Sequence, residues 1–293
     1  MFTLIMPAFN EEENIFDSIT SVLNQKYQNF ELIVIDDGSI DNTSDIVKKL
    51  SKTSTKIKFF QPGKIGKNAA FNLAAKASVG DWIYFMGADD ILPDDALTIW
   101  SSHIDGMDPS KRIALCARMR VFSSNKKYDN LILPKNKKTQ NWSGPLTLMS
   151  RGMLETVLPI PVDFPNEDTW WSLCIRYFAD SKIRINDIII NYRIHDGNAI
   201  SRNSNYESFN EKYHIRAIVR NEFLKRFEEI LTEQQKEEIY EELKLENYRY
   251  NGQFFGIITK NKNGIKNKVR ALFLSNYLLY KIKKKLDRYM LGH

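Results

Sequence analysis

The sequence predicts an α/β fold with a mostly parallel central sheet flanked by helices. Over the first 90 residues, short runs of β-branched and aromatic residues alternate with helical stretches, which is typical of parallel strands joined by crossover helices. Each run ends where small, polar or acidic residues begin. The chain has 293 residues, of which 43% are hydrophobic and 27% are charged, so it is long enough to bury a substantial core.

The individual elements follow from these patterns. Four strands are predicted first: Phe2–Met6, Glu31–Asp36, Lys56–Phe60 and Trp82–Met86. Amphipathic or alanine-rich helices fill the gaps between them: Asn14–Gln25, Thr43–Ser51 and Lys67–Ala77. The less regular part after Pro93 predicts a strand, a helix and a strand: Ile113–Phe122, Glu167–Ala179 and Ile183–Tyr192. Two helices are predicted between Tyr206 and Glu246, followed by a linker over Asn261–Lys268 and a basic tail.

The basic residues are concentrated in that tail. The formal net charge is +6, but Lys260–His293 holds ten Lys or Arg against one acidic residue, a balance of +9 that leaves −3 for the residues before it. This distribution argues against nucleic acid as a partner. The tail also contains apolar residues such as Leu272, Tyr277 and Leu279, and this combination predicts a segment that binds an anionic membrane surface. The alternative is an ordinary solvated helix that packs on its own domain. The apolar run Ala271–Ile282 is shorter than the ~20 residues that span a bilayer.

The two cysteines, Cys116 and Cys174, are far apart in the sequence. They form neither a disulfide framework nor a clustered metal-thiolate spacing, which favours a reducing compartment. The strand-like run after Met1 is too short for a secretory signal and lacks its basic flank. We therefore expect a cytoplasmic protein, with the tail on the inner face of the cytoplasmic membrane.

Polar loops follow the predicted strands, where ligands of parallel sheets bind. In the first loop, Pro7 to Glu11, backbone groups can contact a base, and Glu11 either reaches a polar partner or caps the next helix. In the second loop, Asp36-Asp37-Gly38-Ser39, one carboxylate can accept the imino proton of a uracil ring. An Asp-Gly turn without function is the alternative reading.

The third and fourth loops offer groups for a diphosphate. Pro62 to Asn68 leads into the alanine-rich helix, so helix N–H groups and Lys64 or Lys67 can face phosphate. When this loop is considered alone, the preferred interpretation is an ordinary glycine-containing turn with solvated lysines. The fourth loop places Asp89 and Asp90 directly after an apolar strand. One or two carboxylates plus phosphate oxygens typically hold Mg²⁺ or Mn²⁺, so this pair predicts a divalent cation site.

In this order, the loops resemble those of family-2 glycosyltransferases, which have the A-type (GT-A) nucleotide-binding fold. The similar segments span about two-thirds of the chain: Pro7–Glu11, Asp36–Ser39, Gly66–Asn72, Asp89–Asp90 and Asn166–Asp168. The resemblance implies a GT-A domain over residues 1–205, with a nucleotide-binding half at 1–90 and an acceptor-binding half at 91–205. A helical extension at 206–260 and a basic amphipathic tail at 261–293 would follow.

The resemblance also implies roles for matching residues. Contacts to the nucleotide-sugar are expected from Pro7, Ala8, Phe9, Glu11, Asp36, Asp37, Gly66, Lys67, Asn72, Ala88 and Asp89. Asp89, Asp90 and His195 are expected to hold Mn²⁺ or Mg²⁺, with a solvent-exposed loop histidine as the alternative for His195. Asp168 matches the general base. Glu167, Trp170 and Trp171 are expected on the acceptor side, with two alternatives: favourable acids at a helix N-terminus and one tryptophan in the core.

These roles imply an inverting, metal-dependent hexosyltransferase. Asp168 would remove the proton of an acceptor hydroxyl as it attacks the anomeric carbon, and the cation would stabilise the leaving diphosphate. A UDP-sugar is the expected donor, and a glycan or lipid-linked glycan in surface polysaccharide biosynthesis is the expected acceptor. A non-catalytic carbohydrate-binding or scaffold protein with the same fold is the alternative.

Two positions depart from the family pattern. Gly87 stands where many relatives have the leading acid of an Asp-x-Asp signature, so one ligand or ribose contact is expected to be lost while Asp89 and Asp90 retain the cation site. Phe71 stands where relatives frequently have arginine. A phosphate-facing charge would then be missing, and a lysine of the third loop would have to replace it.

Overall fold

The structure is a computed structural model that describes residues 1–123, 129–194 and 205–291, with side chains up to residue 286 of the last helix. The chain forms two compact units, Met1–Asp196 and Gly197–His293. The first unit is built from a sheet and its covering helices, and the described part of the second is helical. The domain boundaries placed after residues 205 and 260 stay predictions.

One mixed sheet forms the centre of the first unit. Its strands are β1 Phe2–Ala8, β2 Phe30–Asp36, β3 Ile57–Phe60, β4 Trp82–Phe85, β5 Ile113–Phe122, β6 Ile132–Leu133, β7 Thr147–Ser150 and β8 Ser181–Arg193. Their order is β3-β2-β1-β4-β7-β5-β6, and β8 pairs with β5. β1 runs parallel to β2 and β4, and β2 runs parallel to β3. β7 runs antiparallel to β4 and β5, whereas β8 is parallel to β5.

The central parallel strands are buried on both faces. All seven residues of β2 are buried, as are six of the seven in β1, and such continuous apolar runs are expected when helices cover both sides of a parallel sheet. The polar exceptions are paired with each other. Thr3 Oγ1 donates to Glu31 Oε1 at 2.6 Å, and Glu31 Oε2 lies 2.7 Å from Lys58 Nζ, so the buried carboxylate is compensated.

The helices of the first unit pack their apolar faces on this sheet. In the described residues they are α1 Ile15–Leu23, α2 Thr43–Thr53, α3 Lys67–Ala77, α4 Ala96–Ile104, α5 Arg151–Val157 and α6 Glu167–Phe178, with a short 3₁₀ turn at Gly144–Leu146. Ile15, Ile19 and Val22 of α1 are buried, as their i, i+4, i+7 spacing predicts. The small residues Ala70 and Ala74 of α3 are also buried, so this helix can approach the sheet closely.

The second unit contains a charged network among its helices. In its described part these are α7 Tyr206–Arg226, α8 Glu233–Tyr250, α9 Phe254–Thr259, α10 Ile265–Leu274 and α11 Tyr277–Leu291. Arg249 is buried, and its Nε lies 2.7 Å from Glu246 Oε2. His214 Nδ1 lies 3.0 Å from Glu246 Oε1. None of the helices within the described ranges is both long enough and apolar enough to cross a membrane.

The predicted mostly parallel sheet with flanking helices is confirmed, and local differences remain. β7 and α5 were not predicted, because the four-residue run Thr147–Ser150 becomes a strand only by pairing with β4 and β5. The predicted linker Asn261–Lys268 is wrong from Ile265 onward, where α10 begins after Gly264. Its high lysine content concealed a helix whose Ala271 and Leu274 are buried.

Candidate active site

Loops from four strands meet at one edge of the sheet. β3, β2, β1 and β4 are neighbours that run in the same direction, so the loops after their carboxyl ends gather there. These loops contain most of the residues singled out in the sequence. The geometry of each loop determines which side chains remain available to a ligand.

β1 ends at the residues predicted to contact a base. Pro7 and Ala8 are its last two residues, opposite Ile35 and Asp36 of β2. Ala8 is buried, but the next side chain, Phe9, is 45% exposed. Phe9 therefore offers an aromatic surface at the sheet edge, whereas Pro7 and Ala8 can contribute mainly backbone groups.

The first loop is hydrogen-bonded to the second. Asn10 has a positive φ of 54°, and its N–H donates to Ser39 Oγ at 2.9 Å. The N–H of Glu11 donates to Thr43 Oγ1 at 2.7 Å, and the Glu11 carboxylate accepts from Asn14 Nδ2 at 3.0 Å. The carboxylate contact lies at the start of α1, as expected for the capping alternative.

Asp36 is satisfied by its own loop. Its Oδ1 accepts the Ser39 N–H at 3.0 Å, and its Oδ2 accepts the hydroxyl of Ser44. Burial acts to raise the pKa of Asp36, but the hydrogen bonds from Ser39 and Ser44 outweigh it and lower the pKa below its ordinary value. Asp36 therefore stays ionised and stabilises the turn into α2.

Asp37 joins the second loop to the third. Its Oδ1 accepts the N–H groups of Ile65 and Gly66, both at 2.7 Å, and its Oδ2 lies 2.9 Å from Lys64 Nζ. Gly38 has a φ of +78°, and a Cβ there would lie 2.9 Å from the Lys64 nitrogen. Glycine is thus required both by the backbone conformation and by the close approach of the two loops.

The first turns of α3 and α6 are linked by an ion pair. Lys67 Nζ lies 2.6 Å from Glu167 Oε1, and the Glu167 side chain is 8% exposed. A lysine expected on the donor side therefore contacts an acid expected on the acceptor side. This contact brings the N-terminus of α6 to the same sheet edge as the third loop.

Asn68 and Asn72 hold the segment that precedes α6. Asn68 Nδ2 donates to the carbonyls of Pro161 and Phe164 at 2.8 and 2.7 Å. Asn72 Nδ2 donates to the Ile160 carbonyl at 2.8 Å, and Asn72 Oδ1 accepts the Ile160 N–H at 2.7 Å. The Asn72 amide, which we expected to contact the nucleotide-sugar, is thus engaged on both sides by backbone, and that contact stays a prediction.

Asp168 lies in the first turn of α6 and is half-buried. Trp171, three residues later on the same helical face, stacks on Phe85 with ring centroids 4.8 Å apart. Phe85 is the last residue of β4, and the loop with Asp89 follows it. This stacking places Trp171, about one turn after Asp168, against the end of β4.

Trp170 and Trp171 are core residues. Their side chains are 1% and 0% exposed, and the indole N–H of Trp170 donates to the Val157 carbonyl at 2.7 Å. The core alternative given for one tryptophan therefore describes the burial of both, and the expected contact with an acceptor stays a prediction. The large apolar area of the indoles is used to pack α6 on the sheet.

The loop after β4 is held by α1 and by the end of β8. Ser18 Oγ donates to the carbonyl of Ala88, which is buried, at 2.8 Å. Ile91 and Asn191 exchange backbone hydrogen bonds of 3.0 and 2.8 Å. Arg193 Nε donates to the Asp89 carbonyl at 2.9 Å. A segment about a hundred residues away thus fixes the backbone of the acid pair.

The two carboxylates of the acid pair converge over Gly87. An added Cβ on Gly87 would lie 2.5 Å from Asp89 Oδ1 and 2.9 Å from Asp90 Oδ2. Both oxygens therefore occupy the space that a larger side chain would fill. The glycine at this position permits the convergence of Asp89 and Asp90.

Asp90 is buried without full compensation. Its side chain is 1% exposed, its Oδ1 accepts the Arg193 N–H at 3.0 Å, and its Oδ2 has no hydrogen-bond partner among the described residues. Burial raises the pKa of Asp90 well above its ordinary value, and the charge of Asp89 raises it further, against hydrogen bonds from the Arg193 and Gly87 N–H groups. A proton or a cation is needed to neutralise this carboxylate.

The acid pair fits a divalent cation. Asp90 Oδ2 is an unpaired, buried oxygen that converges with Asp89 Oδ1, and carboxylate oxygens are the ligands that Mg²⁺ and Mn²⁺ prefer. No cluster of three or more His, Cys, Asp or Glu side chains suited to a metal occurs in the described ranges. The two aspartates would therefore need further ligands, such as the phosphate oxygens of a substrate. His195, predicted as a ligand, lies outside the described residues.

A family model described as Glycosyl transferase family 2 matches residues 3–161, which is more than half of the 293 residues. The chain belongs to this family. The match includes the four strand-end loops and the acid pair, so the resemblance inferred from those loops is confirmed.

Curated relatives match this family-2 chain over part of their length. A 98-residue segment is 40% identical to an uncharacterized glycosyltransferase of Haemophilus influenzae, covering 33% of this chain and 39% of that protein. A 91-residue segment is 42% identical to UDP-Glc:alpha-D-GlcNAc-diphosphoundecaprenol beta-1,3-glucosyltransferase WfgD of Escherichia coli, covering 31% of this chain and 36% of that protein. The matches thus span less than two-fifths of these relatives.

Solved structures share the fold across nearly the whole chain. S. aureus TarS 1-349 in complex with UDP-GlcNAc has a TM-score of 0.61 at 19% identity, covering 94% of this chain and 80% of that one. The mannosyltransferase PcManGT from Pyrobaculum calidifontis, in complex with GDP-Man and Mn²⁺, has a TM-score of 0.58 at 16% identity, covering 99% and 80%. The expected GT-A fold of this family-2 chain is confirmed.

The aromatic departure from the family pattern has a packing role. Phe71 is buried, and its ring lies 5.1 Å from Phe85 and 6.0 Å from Trp171 between centroids. The ring therefore belongs to the cluster that positions α6. Lys67 Nζ lies 5.6 Å from the Phe71 centroid, so a lysine is present close to the position where relatives frequently carry arginine.

Arg193 and Asn68 were missed by the sequence analysis. Arg193 contacts both residues of the acid pair. Asn68 hydrogen-bonds the backbone of the segment that precedes α6. Arg193 lies two residues before His195, the histidine predicted as a metal ligand. The available signal was a basic residue directly after the predicted strand Ile183–Tyr192.

Proposed function

We propose that this chain is an inverting glycosyltransferase that transfers a sugar from a nucleotide-diphosphate donor, a UDP-sugar, to a hydroxyl of a glycan or lipid-linked glycan. The acid pair carries this proposal. A buried, unpaired oxygen of Asp90 converges with an oxygen of Asp89 at the carboxyl edge of the sheet, and such an arrangement suits a cation that bridges to a diphosphate.

Asp168 is the proposed general base. It lies in the first turn of α6, on the helical face whose Trp171 packs against the end of β4. A carboxylate within hydrogen-bond reach of an acceptor hydroxyl removes its proton as attack on the anomeric carbon proceeds. Attack from the face opposite the leaving diphosphate inverts the anomeric centre in one displacement.

The surrounding residues orient the reacting groups. Glu167 is held by Lys67, and this ion pair fixes the N-terminus of α6 that presents Asp168. Arg193 fixes Asp90 through its N–H and the Asp89 backbone through its side chain. A divalent cation held by Asp89 and Asp90 would neutralise charge on the leaving diphosphate, and positioning of this kind accounts for much of such catalysis.

The names of similar proteins support the choice of donor and acceptor. The Escherichia coli relative is named for transfer from UDP-Glc to a diphosphoundecaprenol-linked sugar, and the TarS structure contains UDP-GlcNAc. We therefore assign a UDP-sugar to the donor site. A lipid-linked or growing surface glycan is the acceptor class that we assign.

The decisive experiment compares Asp168→Asn with the wild-type chain. With saturating Mn²⁺, a panel of UDP-sugars and glycan acceptors, release of UDP by the variant should be at least ~100-fold slower because the general base is lost. Asp163→Asn, which changes an exposed acid shortly before α6, is the matched control and should retain activity.

The alternative function is a carbohydrate-binding or scaffold protein that has kept the fold. A wild-type chain that binds glycan but releases no UDP from any donor would favour this alternative. Turnover that depends on Mn²⁺ and on Asp168 would exclude it. Product analysis by NMR would establish whether the anomeric centre is inverted.

We further propose that the C-terminal helices bind an anionic membrane surface. On α11, Leu278, Ile282 and Leu286 are exposed and recur every four residues, so they form an apolar stripe on the surface. The exposed Lys281 and Lys285 lie next to them. An apolar stripe beside lysines matches the lipid interior and the anionic headgroups of a bilayer.

Vesicle sedimentation tests this surface. The wild-type chain should sediment with phosphatidylglycerol vesicles and not with phosphatidylcholine vesicles, and replacing Leu278, Ile282 and Leu286 together by serine should weaken binding at least ~10-fold. The control replaces the exposed Val79, Ile230 and Tyr240 by serine. Equal binding by both triple variants would contradict the proposal. A dimer in solution that only the Leu278, Ile282 and Leu286 variant dissociates would also contradict it, because the stripe would then be an interface between two copies of the chain.

A further inference from the structure

Lys64 covers the two groups that we expect to recognise a base. Its Nζ lies 3.2 Å from the centroid of the Phe9 ring and 2.9 Å from Asp37 Oδ2. The side chain of Lys64 is 57% exposed, whereas that of Asp37 is 6% exposed. One solvent-facing lysine therefore contacts a buried carboxylate and an exposed aromatic ring at the same time.

A nucleobase would make the same two contacts. A uracil ring stacks on an aromatic face, and its imide N–H can donate to a carboxylate. In the structure, the Lys64 ammonium occupies both positions, through a cation–π contact with Phe9 and an ion pair with Asp37. Because Asp37 Oδ1 already accepts two backbone N–H groups, Oδ2 is the oxygen for which Lys64 and a base compete.

The backbone that carries Lys64 is fixed, but its side chain can move. The N–H groups of Ile65 and Gly66 bind Asp37, and the Lys64 nitrogen lies close against Gly38. The lysine stem is a flexible four-carbon chain. A base can therefore displace the ammonium without any rearrangement of the loop.

We infer that Lys64 has two positions, one over Phe9 and Asp37 in the nucleotide-free protein and one on the diphosphate after the base has displaced it. This inference rests on the nucleotide-diphosphate donor proposed above. The displaced ammonium is released beside the anionic part of the same ligand, and Phe71 supplies no charge there. Lys64 thus disfavours a base without phosphates and favours a complete nucleotide.

The affinities of the full chain for uridine and for UDP test the two positions of Lys64 separately. Lys64→Met removes the charge and keeps most of the stem. Since the competitor for the base is lost, the affinity for uridine should rise about threefold or more. Since a ligand of the diphosphate is also lost, the ratio of UDP affinity to uridine affinity should fall about tenfold. Titration calorimetry with Mn²⁺ in every sample measures both affinities without turnover.

Three further variants complete the experiment. Lys64→Arg keeps a cation that can lie over Phe9, so it should not raise the affinity for uridine. Lys64→Gln repeats the test with a shorter neutral side chain in case Lys64→Met is unstable. Lys76→Met changes an exposed lysine at the other end of α3 and should alter neither affinity.

The outcomes distinguish the inference from the function on which it rests. A folded Lys64→Met or Lys64→Gln variant whose uridine affinity is unchanged or lower overturns the role of Lys64 and leaves the donor assignment standing. A wild-type chain that binds neither uridine nor UDP overturns both. A higher uridine affinity with a lower UDP-to-uridine ratio supports the two positions of Lys64.

Discussion

Two pairs of adjacent aspartates lie at or after the carboxyl ends of buried parallel strands in this protein, and their surroundings differ. In the pair after β2, Asp36 and Asp37 accept hydrogen bonds or an ion pair on every carboxylate oxygen. In the pair after β4, Asp90 has one buried oxygen without a partner in the described part of the chain. The pKa of Asp36 is lowered, whereas that of Asp90 is raised well above its ordinary value.

The comparison separates a pair whose oxygens all have partners within the protein from a pair with one oxygen that has none among the described residues. Loop N–H groups, hydroxyls and Lys64 complete the first pair within the protein. In the second pair, Asp90 Oδ2 has no hydrogen-bond partner within the described residues and lies close to Asp89 Oδ1, so a proton or a cation is needed to neutralise Asp90. An unpaired buried carboxylate destabilises a protein, and the position of Asp90 after the carboxyl end of β4 therefore supports the proposed cation site.

Asp90→Asn is expected to have the largest effect. Loss of the cation ligand should abolish Mn²⁺ binding and lower kcat/KM at least ~100-fold. Without metal, the free energy of unfolding at neutral pH should be unchanged or higher, because a buried carboxylate beside Asp89 has been replaced by a neutral amide. Calorimetric Mn²⁺ titration, kinetics and urea unfolding in EDTA measure the three quantities. A variant that loses stability yet still binds Mn²⁺ would contradict the prediction, because Asp90 would then stabilise the fold as Asp36 does and would not be a required cation ligand.

Gly87→Ala should have an intermediate effect. The new methyl group would meet Asp89 Oδ1 and Asp90 Oδ2, so the oxygens must separate and the affinity for Mn²⁺ should fall about 10-fold. Gly264→Ala is the control, because a Cβ there meets nothing within 4 Å and the backbone has a negative φ. Equal Mn²⁺ affinity of wild type and Gly87→Ala would contradict the convergence of the two oxygens.

Asp36→Asn should have the smallest effect, mainly on stability. A lowered folded-state pKa contributes stability above the ordinary aspartate pKa of about 3.9, and this contribution is lost as the pH falls through the folded-state pKa. The variant should therefore be about 1–2 kcal/mol less stable at neutral pH, and the difference should shrink below pH ~4. Urea unfolding from pH 7 to pH 3 measures it. A constant difference across that range would show that the Asp36 charge is unimportant.

The sequence was sufficient to predict the parallel half of the sheet and the loops at its carboxyl edge. Apolar runs such as Phe2–Met6 and helices with one apolar face are local signals, so they are visible without knowledge of the fold. β7 and β6 gave no such signal, because strands of four and two residues depend on their neighbours. For Trp170 and Trp171 the sequence left core packing and acceptor contact as alternatives, since an aromatic residue near a site suits either role, and the structure buries both.

The sequence by itself determined which acids stand at the ends of strands, and the tertiary structure decided what each acid does. Asp37 meets N–H groups 28 and 29 residues away, and Asp90 meets the N–H of Arg193 across 103 residues. Hydrogen bonding and pKa depend on burial and on neighbours within a few ångströms. Strand pairing brings those neighbours together, so the pKa values of Asp36 and Asp90, each part of an Asp-Asp pair, are shifted in opposite directions.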